Sequence, residues 1–177
     1  VASDTTDQEI RDQFLLSPAH DFAMLIGRDF KLKSYPGEKT TVNIYYQTSE
    51  NASIDSTARS VIFTLDWMAE HVGPYPFPEL VVVETGIGIS GGVEFPQMFW
   101  QSDVSSGAYS RFLRSVAIHE TLHQWFYGIL ASNQAEEPWL DESITQYFTE
   151  LINDAEMGGE PHNVRFFGFV ASAHSEN

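Results

Sequence analysis

The segment His119-Glu120-Thr121-Leu122-His123 constrains this chain more than any other. Two histidines four residues apart lie on one face of an α-helix, about one turn apart, so a helix lets both imidazoles reach a single ion. The glutamate between them then points beside that ion, where a water would be activated. A catalytic zinc takes three protein ligands and keeps one position open, so a third ligand is required. Glu142 meets that need from within Trp139-Leu140-Asp141-Glu142-Ser143, with eighteen residues (124 to 141) between it and His123. A His, His, Glu set of this kind is the ligand pattern of a zinc-dependent peptidase. The competing reading, a surface helix with two solvated histidines, does not account for Glu142 and the residues around it.

Composition narrows the context of that motif. The chain of 177 residues is long enough for one domain with a real core. Its 42% hydrophobic and 14% aromatic content is that of a globular protein rather than a disordered one. A net charge of -16, from 25 acidic and 9 basic residues, argues against a nucleic-acid partner, because phosphates would be repelled. There is no cysteine, which excludes disulfides and thiolate metal sites. No apolar stretch is long enough for a signal segment or a membrane span. The chain begins with Val1 and reads as a piece of a longer polypeptide. Any membrane anchor or extracytoplasmic targeting would rest on segments outside it, and the compartment is left open.

Hydrophobic patterning predicts alternating strands and helices. A short helical turn is expected around Glu9–Leu16, then strands over Asp21–Gly27, Phe30–Ser34 and Thr41–Tyr46, with a turn at Tyr35-Pro36-Gly37-Glu38. Val61, Ile62, Leu65 and Met68 follow helical spacing, in a helix from Ser53 or Asp55 to about His71. Gly73-Pro74-Tyr75-Pro76-Phe77-Pro78 stops it. Leu80–Glu84 reads as a buried strand, Gly86–Gly92 as a flexible loop, and Val93–Trp100 as an edge strand interrupted by Pro96. The motif helix is expected over roughly 110–130, with Phe112, Leu113, Val116, Leu122 and Phe126 buried. A second helix is expected over roughly 140–156, with Ile144, Tyr147, Phe148, Leu151 and Ile152 as its core stripe. Phe166-Phe167-Gly168-Phe169 suggests the start of a further helix. His20, His71, His162 and His174 lack partner spacing and read as surface or capping residues.

Three segments together carry a family resemblance: His119–Phe126, Trp139–Glu142, and Gly91-Gly92-Val93-Glu94-Phe95 upstream. With Gly73–Pro78 before an apolar strand, they resemble the aminopeptidase N-like gluzincins, and Trp125-Phe126-Tyr127-Gly128 and Glu137–Glu142 look closest to bacterial members. The resemblance covers roughly residues 20–155. It implies an α+β fold, a thermolysin-like zincin lobe with a small mixed β-sheet packed against the zinc-motif helices. Residues 1–36 would then be the end of a preceding β domain or a lead-in, and 37–177 the N-terminal lobe of the catalytic domain.

The resemblance also implies roles. His119, His123 and Glu142 would bind one zinc ion, and Glu120 would be the general base. Glu94 would hold the free α-amino group of a peptide substrate, and Gly91 and Gly92 would let an extended substrate approach the strand edge. Asp141, Gln146 and Glu150 are all near enough in sequence to orient the histidines, and the sequence does not choose among them. Two departures stand out: Val93 replaces the family's Met, and Phe95 its Asn, so one polar contact to substrate is in question. The family's oxyanion-stabilising tyrosine lies well beyond the glutamate ligand. Only 35 residues (143 to 177) follow Glu142 here, and their single tyrosine, Tyr147, reads as core. The helical second lobe is therefore expected downstream of Asn177, and residues 1–177 alone are expected to show weak or no activity. The alternatives are a gluzincin endopeptidase and a non-catalytic zinc-fold binding or scaffold domain.

Overall fold

A computed structural model describes residues 2–5, 10–16, 19–47, 51–85, 91–102, 110–157, 163–166 and 169–172. In chain order the elements are β1 (Ala2–Thr5), β2 (Ile10–Gln13), β3 (Lys31–Pro36), β4 (Thr41–Tyr46), α1 (Asn51–His71), β5 (Glu79–Thr85), β6 (Gly92–Phe95) and β7 (Met98–Ser102). They continue with α2 (Ser110–Leu122), α3 (Trp139–Met157), β8 (Asn163–Phe166) and β9 (Phe169–Ser172). Five strands form one mixed sheet in the order β3-β4-β5-β7-β6. The inner pairs β4–β5 and β5–β7 are parallel, and both edge pairs are antiparallel. A parallel neighbour needs a long crossover, and α1 provides it between β4 and β5.

The three helices gather on one sheet face. Alternate strand residues point that way: Val42 and Ile44, Leu80 and Val82, and Phe99 are all buried in one apolar cluster. They meet Ile54, Ala58, Val61, Leu65 and Met68 of α1, whose spacing of three and four residues lines a single helical face. Ile118 and Leu122 of α2 and Ile152 of α3 complete the core. At its rim the seam turns polar. Buried Glu84 accepts hydrogen bonds from Thr57 of α1 (2.7 Å) and Gln101 of β7 (3.0 Å).

Several expected elements differ from the structure. The segment 21–27 is irregular rather than a strand; Phe22, Met24 and Ile26 are exposed, and an apolar run makes no strand without a ladder partner. The expected helical turn near residues 9–16 is instead β2, paired with β1. The aromatic tail is the β8–β9 hairpin, not a helix start, which suits its β-branched and aromatic content. Val93–Trp100 divides into β6 and β7 around a Pro96-Gln97 turn, with Gln97 at φ 64. β3 hydrogen-bonds along its length to β4, so the sheet spans the division expected at residue 36.

The motif helix ends at Leu122, not near 130. The chain then tightens, with Gln124 and Trp125 N–H groups bonding three residues back, and Tyr127 takes φ 136. In α3 the expected core stripe is displaced. Ile144, Tyr147 and Leu151 are exposed, so Tyr147 is not core, while Asp141, Thr145, Thr149, Ile152 and Asn153 face inward. The inward face is mostly polar because Thr145 and Thr149 meet His123 and His119.

Candidate metal centre

The end of α2 is the most enclosed stretch among the described residues: every residue from Ser115 to Tyr127 is buried. His123 lies one residue past the helix, yet its N–H still bonds the His119 carbonyl at 3.2 Å, which keeps the two imidazoles in helical register. α3 packs beside α2 and brings Glu142 in its first turn. Its start is set locally: Leu140 N–H bonds the Glu137 carbonyl (3.1 Å), and Glu142 N–H bonds that of Pro138 (3.3 Å). Proline fits there because a helix start has no use for its missing N–H.

Three donor atoms converge. His119 Nε2 lies 3.1 Å from His123 Nε2 and 3.2 Å from Glu142 Oε2, and His123 Nε2 lies 3.8 Å from that oxygen. Tetrahedral zinc with ligands at about 2.0–2.1 Å sets its donor atoms roughly 3.3–3.4 Å apart, so the spacing fits zinc.

The hydrogen bonds behind the rings make the same case. His123 Nδ1 faces the Phe126 carbonyl at 3.1 Å. A carbonyl only accepts, so Nδ1 carries the proton and Nε2 offers its lone pair. His119 Nδ1 lies 3.3 Å from Thr149 Oγ1. The Thr149 hydroxyl donates to the Thr145 carbonyl at 2.8 Å, leaving its oxygen to accept from the ring. Burial pushes His119 below its ordinary value, which also favours the neutral ring. Two lone pairs and a carboxylate thus face one another, an arrangement that a cation relieves.

The sequence offers Asp141, Gln146 and Glu150 for this role, whereas the structure places Thr145 and Thr149 behind the rings. The legible signal was spacing: 142, 145 and 149 share one helical face. Thr145 Oγ1 also lies 3.4 Å from His123 Nδ1.

Glu120 is buried beside the centre, and its Oε2 has no hydrogen-bond partner among the described residues. Burial first, then the Glu94 and Glu142 carboxylates, push Glu120 well above the usual carboxylate range. Ligand atoms of Glu94, Glu120 and His123 lie within 4.8 Å of one another, so the structure brings Glu94 beside the same centre. Glu94 stands on β6, the sheet edge, and its Oε1 accepts from Gln134 Nε2 at 2.5 Å. Buried Gln124 fastens this edge to the helix end: it accepts from Gln97 N–H (2.8 Å) and donates to the Phe95 carbonyl (3.1 Å).

The two glycines have separate structural reasons. Gly91 adopts φ 124, a conformation that side chains rarely take, and bonds Ser102 through its backbone. A Cβ on Gly92 would overlap the Glu120 side chain. Gly92 therefore makes room for Glu120. Of the weaker histidines, His20 bonds the Tyr127 carbonyl at 2.7 Å and His71 stacks on Trp67; His162 and His174 lie outside the described residues. Among those residues, no helix is long and apolar enough to cross a membrane.

No protein-family model matches the chain. It is 22% identical over 141 residues to "Aminopeptidase M1-A" of Oryza sativa subsp. japonica, an overlap of 75% of this chain and 16% of that protein. It is 24% identical over 145 residues to "Aminopeptidase M1-C" of the same organism, with the same two shares. The chain thus spans 16% of the length of these curated relatives, and the likeness supports a distant family relationship to them.

Proposed function

We propose that the protein is a zinc-dependent aminopeptidase with a thermolysin-like zinc lobe, acting on peptides with a free amino terminus. The observation that carries this reading is the convergence of His119, His123 and Glu142 beside a buried Glu120 and a half-buried Glu94. The distant likeness to two plant proteins named aminopeptidases supports it. His119 Nε2, His123 Nε2 and Glu142 Oε2 would hold the ion. When bound, zinc supplies Lewis acidity, to a water and to the scissile carbonyl.

The chain's own groups do the rest. Glu120 Oε2 is an acceptor waiting for a donor. It accepts a proton from the attacking water and passes it to the amine nitrogen as the C–N bond breaks. A cation at the neighbouring ligands offsets the burial that raises Glu120, so the carboxylate is available as a base. Glu94 pairs with the substrate α-ammonium. A blocked peptide leaves it desolvated and unpaired, so acetylated peptides are rejected.

The test is made on the full-length protein loaded with zinc. Glu120→Gln is expected to keep one zinc per chain and to lose turnover by at least about 10²–10⁴-fold. Turnover at the native rate would remove Glu120 as the base. The unsubstituted protein is expected to cleave free peptides and spare their acetylated forms; indifference to acetylation would point to an endopeptidase.

A further inference from the structure

The loop between α2 and α3 carries a residue with no role in the mechanism so far. Gln134 Nε2 lies 2.5 Å from Glu94 Oε1 and 2.7 Å from Asp141 Oδ2. An amide nitrogen has two hydrogens, and two carboxylates take both. Both acceptors are carboxylate oxygens. The two ends differ in burial. Asp141 is buried in the first turn of α3, one residue before Glu142. Glu94 is a half-buried side chain on the edge strand. Gln134 therefore ties a half-buried carboxylate to the helical turn that carries a proposed zinc ligand.

We propose that Gln134 is the positioning residue of the amino-terminal subsite, holding Glu94 at one distance from the His119–His123–Glu142 centre through Asp141. This inference rests on the aminopeptidase reading. Without the amide, the Glu94 and Asp141 carboxylates would face each other as like charges. Glu94 would then turn toward solvent, and the α-ammonium would lose its fixed partner. The distance from Glu94 to the metal ligands sets which peptide bond meets Glu120. Gln134 thus contributes to selecting the first bond of a free-amine peptide.

The test is peptide binding by calorimetry to full-length, zinc-loaded protein carrying Glu120→Gln, which binds without turnover. The probes are one tripeptide and its N-acetylated form. Gln134→Met keeps the side-chain length and removes both donors. It is expected to weaken the free tripeptide about tenfold, the scale of a lost charge-assisted hydrogen bond, and to leave the acetylated form and the zinc content unchanged. In a Glu94→Gln background, Gln134→Met is expected to have no further effect, because it acts through Glu94. Gln134→Ala gives a second, independent variant. Unchanged affinity for the free tripeptide, or additive effects with Glu94→Gln, would overturn the proposal while leaving the aminopeptidase reading intact. Loss of zinc from both variants would also overturn it, by assigning Gln134 to the metal centre. Equal binding of both probes before any change at Gln134 would instead remove the aminopeptidase reading, and this inference with it.

Discussion

Gly92→Ala is the most direct probe of the centre, because it replaces neither a proposed metal ligand nor the proposed base itself. The new methyl group would overlap the Cγ, Cδ and Oε1 atoms of Glu120. Non-bonded carbon atoms settle at about 3.5–4.0 Å, so Glu120 has to retreat by about an ångström. Glu120 is 3% exposed and enclosed by α2 and the sheet edge, which leaves it little room to do so. Strain of this kind destabilises a packed site by about 1–3 kcal/mol. A misplacement of about an ångström at a reacting group can lower turnover about 10²-fold. The assay is steady-state hydrolysis of a free-amine peptide by the full-length protein, beside zinc stoichiometry and thermal unfolding. The expected result is full zinc content, a modest fall in unfolding temperature and about 10²-fold lower kcat. Native kcat would refute the placement of Glu120 over Gly92 or its role as base. Loss of zinc would refute the separation between Gly92 and the ligand set.

Three further outcomes follow from the same geometry. In chelated protein, burial raises Glu120 above its unfolded value, so the folded state keeps a proton that the unfolded chain releases. Its contribution to stability therefore falls as pH rises from the unfolded value of 4.5 toward the raised one. Denaturant titrations at several pH values should show Glu120→Gln gaining stability over the parent as pH increases; a constant difference would contradict the shift. Gln124→Leu orphans the Gln97 N–H and the Phe95 carbonyl and is expected to lower unfolding free energy by about 2–4 kcal/mol, measured by denaturant titration. Chelation should lower the unfolding temperature, and zinc should restore it where magnesium does not, because two imidazoles and one carboxylate suit zinc. Calorimetry with each ion checks this.

Much of the candidate centre was legible because it is written in local spacing. Histidines four positions apart need only helical geometry to share a face, and the packing of α3 on α2 brings Glu142 to His119 and His123. Helix α1 was legible for the same reason, since its buried residues repeat every three or four positions. The inward face of α3 was not. Its apolar residues Ile144, Tyr147 and Leu151 suggested a core stripe, yet Thr145 and Thr149 face inward, because polar ring nitrogens wait there. Nor was the end of α2, where Phe126 bends its carbonyl back to His123 in place of continuing the helix.

The sequence by itself determined the candidate ligand types, the helical register of the two histidines and the acid between them, all consequences of short-range periodicity. Only the tertiary structure decided which groups orient the rings, why Gly92 must be small, and that Gln134 joins Glu94 to Asp141. Those contacts join residues from separate elements, and their distances depend on how a sheet edge, a loop and two helices pack. No spacing along the chain encodes that packing, which buried area and hydrogen-bond satisfaction settle together.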